Sequence, residues 1–372
     1  MPYSVGLDVR MIRHSGIGTY LRGLLEGFRS AGIREPHRPA LFGPAGVADD
    51  YSDFTSRRLT PPIYSISEQA AYLSAVSQCR LWHAPHYNVP VLKGKARLVV
   101  TIHDIIHWIF RDRFLNPVQA AYAGFMLNRA VGISDRIIAV SENTKNDLIE
   151  HFKAPADKIT VIYEGVGNAY RMMPPEELSA RFKRLSEKYR LPENFFLYVG
   201  LMKPHKNVLW LVELFRRLKA SGRLKSSLVL VGRKDKKYPK EFEGLRDLQT
   251  DGDVIHIPAI EFPELLVLYN RAVALVHPSL YEGFGLTVLE AMKCGTPVIT
   301  TKAASLAEVA GGAAVLVNPS DPSEMSEALI GIESDVRTRD ILRAQGLERV
   351  KKFQWEDTAR QTAEVYRRVL GS

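Results

Sequence analysis

Two glutamates eight positions apart, Glu282 and Glu290, bracket the stretch whose residue types offer the most chemistry. Gly283, Phe284, Gly285, Leu286 and Thr287 stand between them, after an apolar run that ends at Val276. The pattern reads as a buried strand, a glycine loop and a helix over 287–294 that Gly295 and Pro297 stop. Glycines let backbone approach a ligand closely, and the first N–H groups of a helix attract an anion. A phosphate is therefore expected against residues 284–287, with one carboxylate in reach of a ribose diol and the other of a sugar. An isolated pair of this kind has a plainer reading, a solvated loop residue and a surface charge.

Lys206, in the basic turn Lys203-Pro-His205-Lys206, is a candidate for the charge that a departing diphosphate requires. Without context it is a solvated lysine. His103 follows the apolar run 99–102 and reads either as a side chain pointing into a cleft or as a satisfied core histidine. Gly16 and Gly18 fall between a first strand and a helical stretch over 20–28, where missing side chains leave room for a pyrophosphate and an acceptor. The stripe Tyr20, Leu21, Leu24, Leu25, Phe28 is expected to be a core face rather than a membrane anchor.

These residues must be held by alternating strands and helices. Apolar runs at 5–7, 81–83, 98–102, 136–140 and 159–163 read as buried strands, with Ser141 capping a helix over 142–151. A second series follows at 195–199, 228–231, 254–257, 274–276, 297–299 and 315–317, separated by helical stretches over 209–220, 263–270 and 287–294. The boundary is placed in 172–194, where Met-Met-Pro-Pro, a polar helix and Leu-Pro-Glu-Asn interrupt the pattern. The expectation is an α/β chain of two doubly wound domains with a cleft between them, binding ligands past the carboxyl ends of their strands.

Composition agrees with that class. The 372 residues exceed one typical core of ~100–200 residues, and 46% hydrophobic with 24% charged is ordinary for a globular chain. Two cysteines, Cys79 and Cys294, sit far apart and near no metal-ligand spacing, so a reduced compartment without structural zinc is expected. The opening has no signal-peptide pattern and no apolar run approaches the ~20 residues of a membrane span, so the expected location is cytoplasmic. The net charge of +9 is spread along the chain (20 Lys and Arg against 15 Asp and Glu in residues 1–175, 30 against 26 beyond). It reads as a solvated basic surface, or as attraction to phosphorylated substrates or an anionic membrane face; no clustered basic arm speaks for nucleic acid.

The glutamate stretch, with its flanks P-S-x-Y-E-G-F-G and E-A-M-x-C-G-x-P-V, resembles the E-x7-E signature of retaining glycosyltransferases of family four, which have the GT-B fold. The likeness covers nearly the whole chain. Ser15-Gly-Ile-Gly-Thr-Tyr is similar to that family's glycine-rich acceptor loop, Thr101-Ile-His-Asp to its active-site histidine segment, and Val140-Ser-Glu-Asn-Thr-Lys to its turn of that form. Tyr198-Val-Gly-Leu-Met-Lys-Pro-His-Lys-Asn resembles the first strand and basic loop of its donor domain, and Phe353-Gln-Trp-Glu-Asp-Thr-Ala its final element.

The resemblance implies an acceptor-binding domain over 1–175, a nucleotide-sugar domain over 190–352, and a helix within 353–372 crossing back to the first. It makes Glu290 the partner of the donor ribose, and Glu282 and His103 contacts of the transferred sugar. Lys206 becomes the cation on the leaving diphosphate, and Asp104 orients the histidine loop. Gly200, Lys203, Gly232, Arg233, Ile257 and residues 283–287 complete the implied donor set. Many relatives carry Arg directly after the glycine at the first donor-domain strand; this chain has Leu201, and Lys203, His205 or Arg233 would have to substitute. No Asp-x-Asp stands in a donor loop, so no obligatory metal and no cofactor beyond the nucleotide sugar is expected. The implied function is transfer of a hexose, with GDP-mannose the first choice of donor, to a growing glycan carried on lipid at the inner membrane surface. UDP-glucose, UDP-N-acetylglucosamine, a nucleotide-sugar epimerase and a sugar-nucleotide-binding regulatory module are the alternatives.

Overall fold

The computed structural model describes residues 1–238 and 252–371. The chain divides into two compact units, Met1–Gly165 with Phe353–Ser372, and Val166–Lys352. Ser372, the last residue of the C-terminal segment, lies outside the described residues.

The first unit is built on a parallel sheet of seven strands: β1 (Tyr3–Asp8), β2 (Ala40–Gly43), β3 (Ser56–Arg58), β4 (Cys79–Ala84), β5 (Arg97–Ile102), β6 (Arg136–Ala139) and β7 (Ile159–Val161), in the order β3-β2-β1-β4-β5-β6-β7. Strand side chains alternate between the two faces. Leu81, Val99 and Ile138 face a core shared with the helices Ile17–Ser30 and Trp355–Leu370, while Trp82, Leu98, Val100 and Ile137 face a second core. The helices Ile66–Ser77, Pro117–Ile133 and Glu142–Phe152 cover that other face.

The C-terminal helix Trp355–Leu370 belongs to the first unit. Its Trp355 is received where Gly23, Gly27 and Gly165 lack side chains; a Cβ on Gly27 would fall 2.1 Å from the Trp355 carbonyl oxygen. Thr358 Oγ1 donates to the Tyr163 carbonyl at 2.7 Å, and Phe28 stacks on Tyr366.

Several bounds differ from the sequence expectation. β6 ends at Ala139 because Ser141 caps the next helix, accepting from the Thr144 N–H. β7 ends at Val161, one further rung, from the Ile162 N–H to the Ala139 carbonyl, closing the ladder. β2 and β3 escaped notice: one is four residues beside Pro39, the other a polar three-residue edge. So did the helices Ile66–Ser77 and Pro117–Ile133, although both begin with readable caps, Ser65 on the Glu68 N–H and a reciprocal Asn116–Gln119 box with Pro at the first helical position.

The second unit has six parallel strands: β8 (Phe195–Val199), β9 (Ser227–Val231), β10 (Val254–Ile257), β11 (Ala274–His277), β12 (Val298–Thr301) and β13 (Val315–Val317), ordered β10-β9-β8-β11-β12-β13. It begins at Val166, ahead of the boundary expected in 172–194. The reason is local: the Met173 N–H is bound by Asn270 Oδ1 at 2.8 Å, and Tyr170 packs edge-on against Phe262 and Tyr269. The polar helix Pro175–Tyr189 is thereby part of this unit, with Lys188 and Tyr189 both on Glu264. In each sheet the strand order reverses once, between β1 and β4 and between β8 and β11. A ligand is expected past the carboxyl ends of those strand pairs.

Candidate active site

At the reversal of the second sheet, β8 leads into Gly200, Leu201 and the turn Pro204–Lys206, and β11 leads into the glutamate loop. The structure brings Lys206 and Glu282 together: Nζ lies 2.5 Å from Oε1. The same oxygen receives His277 Nε2 at 2.9 Å and Ser279 Oγ at 2.7 Å. Burial pushes the Glu282 carboxyl up, but Lys206, His277 and His205 pull it further the other way, so it stays ionised well below the usual range. Three donors on Oε1 fix the side chain and leave Oε2 as the atom turned to other chemistry.

The loop that carries Glu282 is itself pinned. Thr300 Oγ1 and Thr301 Oγ1, at the end of β12, donate to the carbonyls of His277 and Ser279. The Ser305 hydroxyl lies 2.9 Å from the carbonyl oxygens of Glu282 and Phe284. The Leu280 N–H donates to the His205 carbonyl, tying this loop to the lysine turn.

The following helix is Leu286–Lys293, one residue earlier than read from the sequence, because Gly285 takes the N-cap position at φ 107°, a left-handed conformation suited to glycine. Its opening N–H groups have no carbonyl one turn back, which makes residues 285–287 the anion-attracting end. Gly283, Leu286 and Thr287 are part-exposed there, while Phe284 is buried.

Glu290 sits on that helix, apart from the Glu282 cluster. Tyr269 donates its hydroxyl to Oε2 at 2.9 Å. Burial raises the Glu290 carboxyl above its ordinary value, opposed by hydrogen bonds from Tyr170 and Tyr269.

The remaining donor candidates lie on neighbouring strand ends. Gly200 and Gly232 meet backbone to backbone: a Cβ on Gly232 would fall 2.0 Å from the Gly200 carbonyl oxygen. The Met202 N–H donates to the Arg233 carbonyl, which puts Arg233, exposed, beside the β8 loop with half-buried Lys203. His205 is buried. Ile257 keeps its side chain in the core, and its carbonyl accepts from the Gly232 N–H.

His103, Asp104, Gly16 and Gly18 belong to the first unit. His103 Nδ1 lies 2.9 Å from Glu164 Oε1, and Nε2 lies 3.1 Å from the Pro85 carbonyl oxygen. Both partners are acceptors, and a neutral ring can donate to only one of them. A sugar hydroxyl therefore reaches this ring only by displacing one partner, a constraint the sequence reading lacked. Asp104 Oδ1 accepts from the Ile106 N–H and so orders the loop after β5. Gly16 faces open space at φ 70°, as a ligand loop would. Gly18 does not: a Cβ there would meet the Ile12 carbonyl oxygen at 2.6 Å, so its missing side chain serves packing rather than ligand room.

Residues 14–167 match Glycosyltransferase Family 4, and residues 181–349 match Glycosyl transferases group 1. The O-antigen chain mannosyltransferase B of Escherichia coli is 30% identical over 289 residues, which span 77% of this chain and 74% of that protein. The chain belongs to glycosyltransferase family 4. It is a GT-B enzyme that transfers a glycosyl group. The serotype-specific mannosyltransferase WbdA of Escherichia coli is 27% identical over 299 residues, and the matched region covers 78% of this glycosyltransferase but 36% of WbdA. This chain thus spans about a third of that relative's length. The solved structure of Anabaena HepE in complex with UDP-glucose shares the fold, with a TM-score of 0.76 and 17% identity over 97% of this chain and 98% of that one.

Sequence reasoning missed the groups that hold the glycosyltransferase's glutamates in place. Ser279 stands in the quoted flank and His277 just ahead of it, yet nothing in their spacing says that both reach Glu282. Tyr170, Tyr269, Glu164, Thr300, Thr301 and Ser305 come from distant parts of the sequence, and pairwise reach across a fold leaves no local signal. The chain's Asp-x-Asp is Asp251-Gly-Asp253; Asp253 directly precedes β10 and so lies at the amino edge of the sheet, away from the site. Asp251 is outside the described residues, and Asp253 pairs with Lys219. Among the described residues no three His, Cys, Asp or Glu side chains are grouped to hold a metal ion, and no helix is long and apolar enough to cross a membrane.

Proposed function

We propose that this glycosyltransferase is a retaining, metal-independent mannosyltransferase that uses GDP-mannose and extends a growing, lipid-linked glycan. The observation that carries the reading is the convergence of Lys206, His277 and Ser279 on one oxygen of Glu282, beside a helix start at the strand-order reversal. An ionised carboxylate with one oxygen clamped and the other open suits a hydroxyl-bearing sugar. Lys206 and the amides of residues 285–287 supply positive charge for the diphosphate, the role a divalent ion plays elsewhere. Glu290, steadied by tyrosine hydroxyls, takes the ribose diol.

In the proposed step the bond between the sugar's anomeric carbon and the diphosphate oxygen breaks through an oxocarbenium-like state. The leaving oxygen takes the acceptor's proton, and the acceptor oxygen bonds to the same face of the anomeric carbon. Charge accumulates on the diphosphate as the bond breaks, so Lys206 binds the transition state more strongly than the ground state. Mannose as the sugar, and a polysaccharide as the acceptor, are supported by the names of the Escherichia coli relatives, and peripheral contact with an anionic inner membrane by the net charge of +9.

The test is a thermal-shift screen of GDP-mannose, UDP-glucose and UDP-N-acetylglucosamine, followed by assignment of the product anomer by NMR. A donor that binds the native state raises Tm. Selective stabilisation by GDP-mannose, an α-linked product and activity in excess EDTA are expected. A shift with a UDP-sugar alone replaces the donor, an inverted anomer removes the retaining step, and activity lost in EDTA and restored by magnesium removes metal independence.

A further inference from the structure

The His103 ring, just past β5 in the first unit, has a lone-pair partner on each nitrogen. Nδ1 stands 2.9 Å from Glu164 Oε1, and Nε2 stands 3.1 Å from the Pro85 carbonyl oxygen. Neither distance holds between two bare acceptors, so a hydrogen lies in each contact. One is on Nε2 toward Pro85; the other lies between Nδ1 and Oε1. The two partners are not equivalent. A hydrogen bond to a carboxylate is shorter, and roughly twice as strong, as one between neutral groups. The Glu164 side chain is 6% exposed against 14% for the ring, so Glu164 stays behind while the ring is reached. A sugar hydroxyl that takes a partner's place therefore replaces the Pro85 carbonyl, and its oxygen accepts from the Nε2–H.

The other titratable groups near the ring leave its orientation to Glu164. Tyr20 stands edge-on to it at 4.7 Å with its hydroxyl 3.1 Å from Thr101 Oγ1, and burial pushes that hydroxyl up, so it keeps its proton. Burial, with His103 nearby, pushes the His83 and His86 imidazoles down to about 3, so both are neutral. Asp104, next in the chain, turns Oδ1 to the Ile106 N–H.

Glu164 is itself held by the C-terminal segment, which grips both of its chain neighbours. Thr358 Oγ1 donates to the Tyr163 carbonyl at 2.7 Å, and Phe353 packs on the Tyr163 ring with centroids 5.7 Å apart. Gly165 lies so close to the helix that a Cβ there would fall 2.3 Å from the Trp355 backbone nitrogen. A second path starts from the same helix. The Tyr366 hydroxyl lies 2.6 Å from His83 Nδ1, and His83 Nε2 lies 2.8 Å from Thr101 Oγ1, which reaches the Tyr20 hydroxyl. The Tyr20 ring then backs His103. Buried networks whose members are all partnered lock the side chains they support.

We propose that Glu164 is a positioning residue for glycosyl transfer, holding the His103 ring so that its Nε2–H meets a hydroxyl oxygen of the transferred sugar, and that the C-terminal helix fixes Glu164 in turn; this rests on the reading of His103 as a contact of that sugar. The test uses the full chain. Nucleotide release is followed from GDP-mannose, UDP-glucose and UDP-N-acetylglucosamine, and variants are compared on whichever is turned over. Affinity for the free nucleotide comes from calorimetry, and the tautomer of His103 from NMR of labelled histidine, which needs no donor. Glu164→Ala should lower kcat about tenfold or more while nucleotide affinity stays within about twofold, because the ring meets the sugar and not the nucleotide. Its ring should change from one Nε2-protonated form to a mixture of tautomers. Glu164→Gln should restore kcat to within about threefold of the parent and keep Nε2 protonated, since an amide N–H donates to Nδ1. Thr358→Val keeps the shape of its side chain and asks the same question from the helix even where Glu164→Ala does not fold. It should lower kcat about threefold with nucleotide affinity unchanged. A normal kcat in Glu164→Ala or Thr358→Val, an unchanged tautomer in Glu164→Ala, or a Gln variant as poor as the Ala variant would overturn the proposal. A normal kcat in His103→Ala overturns the reading of His103 together with it, whereas an impaired His103→Ala beside a normal Glu164→Ala overturns the proposal alone.

Discussion

Replacing Lys206 by Met removes one of three donors from Glu282 Oε1 and the only formal positive charge among those three that does not depend on a histidine. The two side chains keep 19% and 13% of their surface exposed, so the pair is largely buried. Breaking a buried pair by removing one partner costs ~3–5 kcal/mol. His277 and Ser279 remain on the carboxylate, which places Lys206→Met at the lower end, about 3 kcal/mol. For a unit of this size each kcal/mol lowers Tm by roughly 2–4 °C, so a fall of about 6–12 °C is expected. In a Glu282→Gln background the carboxylate no longer needs a counter-charge, and Lys206→Met should be nearly free; the coupling should be about 2 kcal/mol. The catalytic effect is separate. A hydrogen bond to a charged group contributes ~1.5–3 kcal/mol, which corresponds to a roughly 10- to 150-fold loss, and it should fall on kcat because diphosphate charge grows in the transition state. The assay is nucleotide release at saturating donor, donor Kd by calorimetry, and Tm for the four proteins of the cycle. Additive stability losses would refute the pair. Equal losses of donor affinity and kcat would make Lys206 a ground-state binder, and a normal kcat would take it out of the site.

Three further outcomes follow from the same geometry. Glu290→Ala should weaken donor binding roughly 10- to 100-fold with little change in kcat at saturation, because a ribose contact acts equally in ground and transition states; unchanged affinity in titration would end the ribose role. Gly27→Ala puts a Cβ 2.1 Å from the Trp355 carbonyl oxygen, which the helix can relieve only by shifting, so about 3 kcal/mol of destabilisation is expected and a Tm within 2 °C of the parent would contradict the packing. His83 is fully buried between Thr101 and Tyr366, and burial, with His103 nearby, pushes its imidazole down to about 3. The folded chain therefore refuses a proton that the unfolded chain binds below pH ~6.5, so stability is intact above that pH and declines toward pH 3, by about 2 kcal/mol at pH 5. A Tm that is flat from pH 7 to 5, or a His83→Gln variant with the same acid sensitivity as the parent, would disprove this.

The repetitive part of this protein and its local motifs are legible in the amino-acid order alone. Apolar runs such as 195–199 and 274–276 announce buried parallel strands because both of their faces are covered and every position must be apolar. The glycine loop and helix at 283–294 are legible because φ preferences and helix stops act over a few residues. The same locality explains what was missed. β3, a polar edge strand over Ser56–Arg58, exists only because β2 offers it a ladder, and Gly18 cannot be told from a ligand-loop glycine until the Ile12 carbonyl is seen against it. The tertiary structure alone decided that Glu282 shares one oxygen among Lys206, His277 and Ser279, that Glu290 leans on tyrosines at 170 and 269, and that His103 is held by Glu164 and Pro85. It also gathered Asp8, Arg10, Glu68, His86 and Asn88 into one recess. Residue types and spacings state which groups are present, but the reach of a side chain is a few ångströms, and only the parallel pairing of β1 with β4 and of β8 with β11 brings groups dozens of residues apart within that reach.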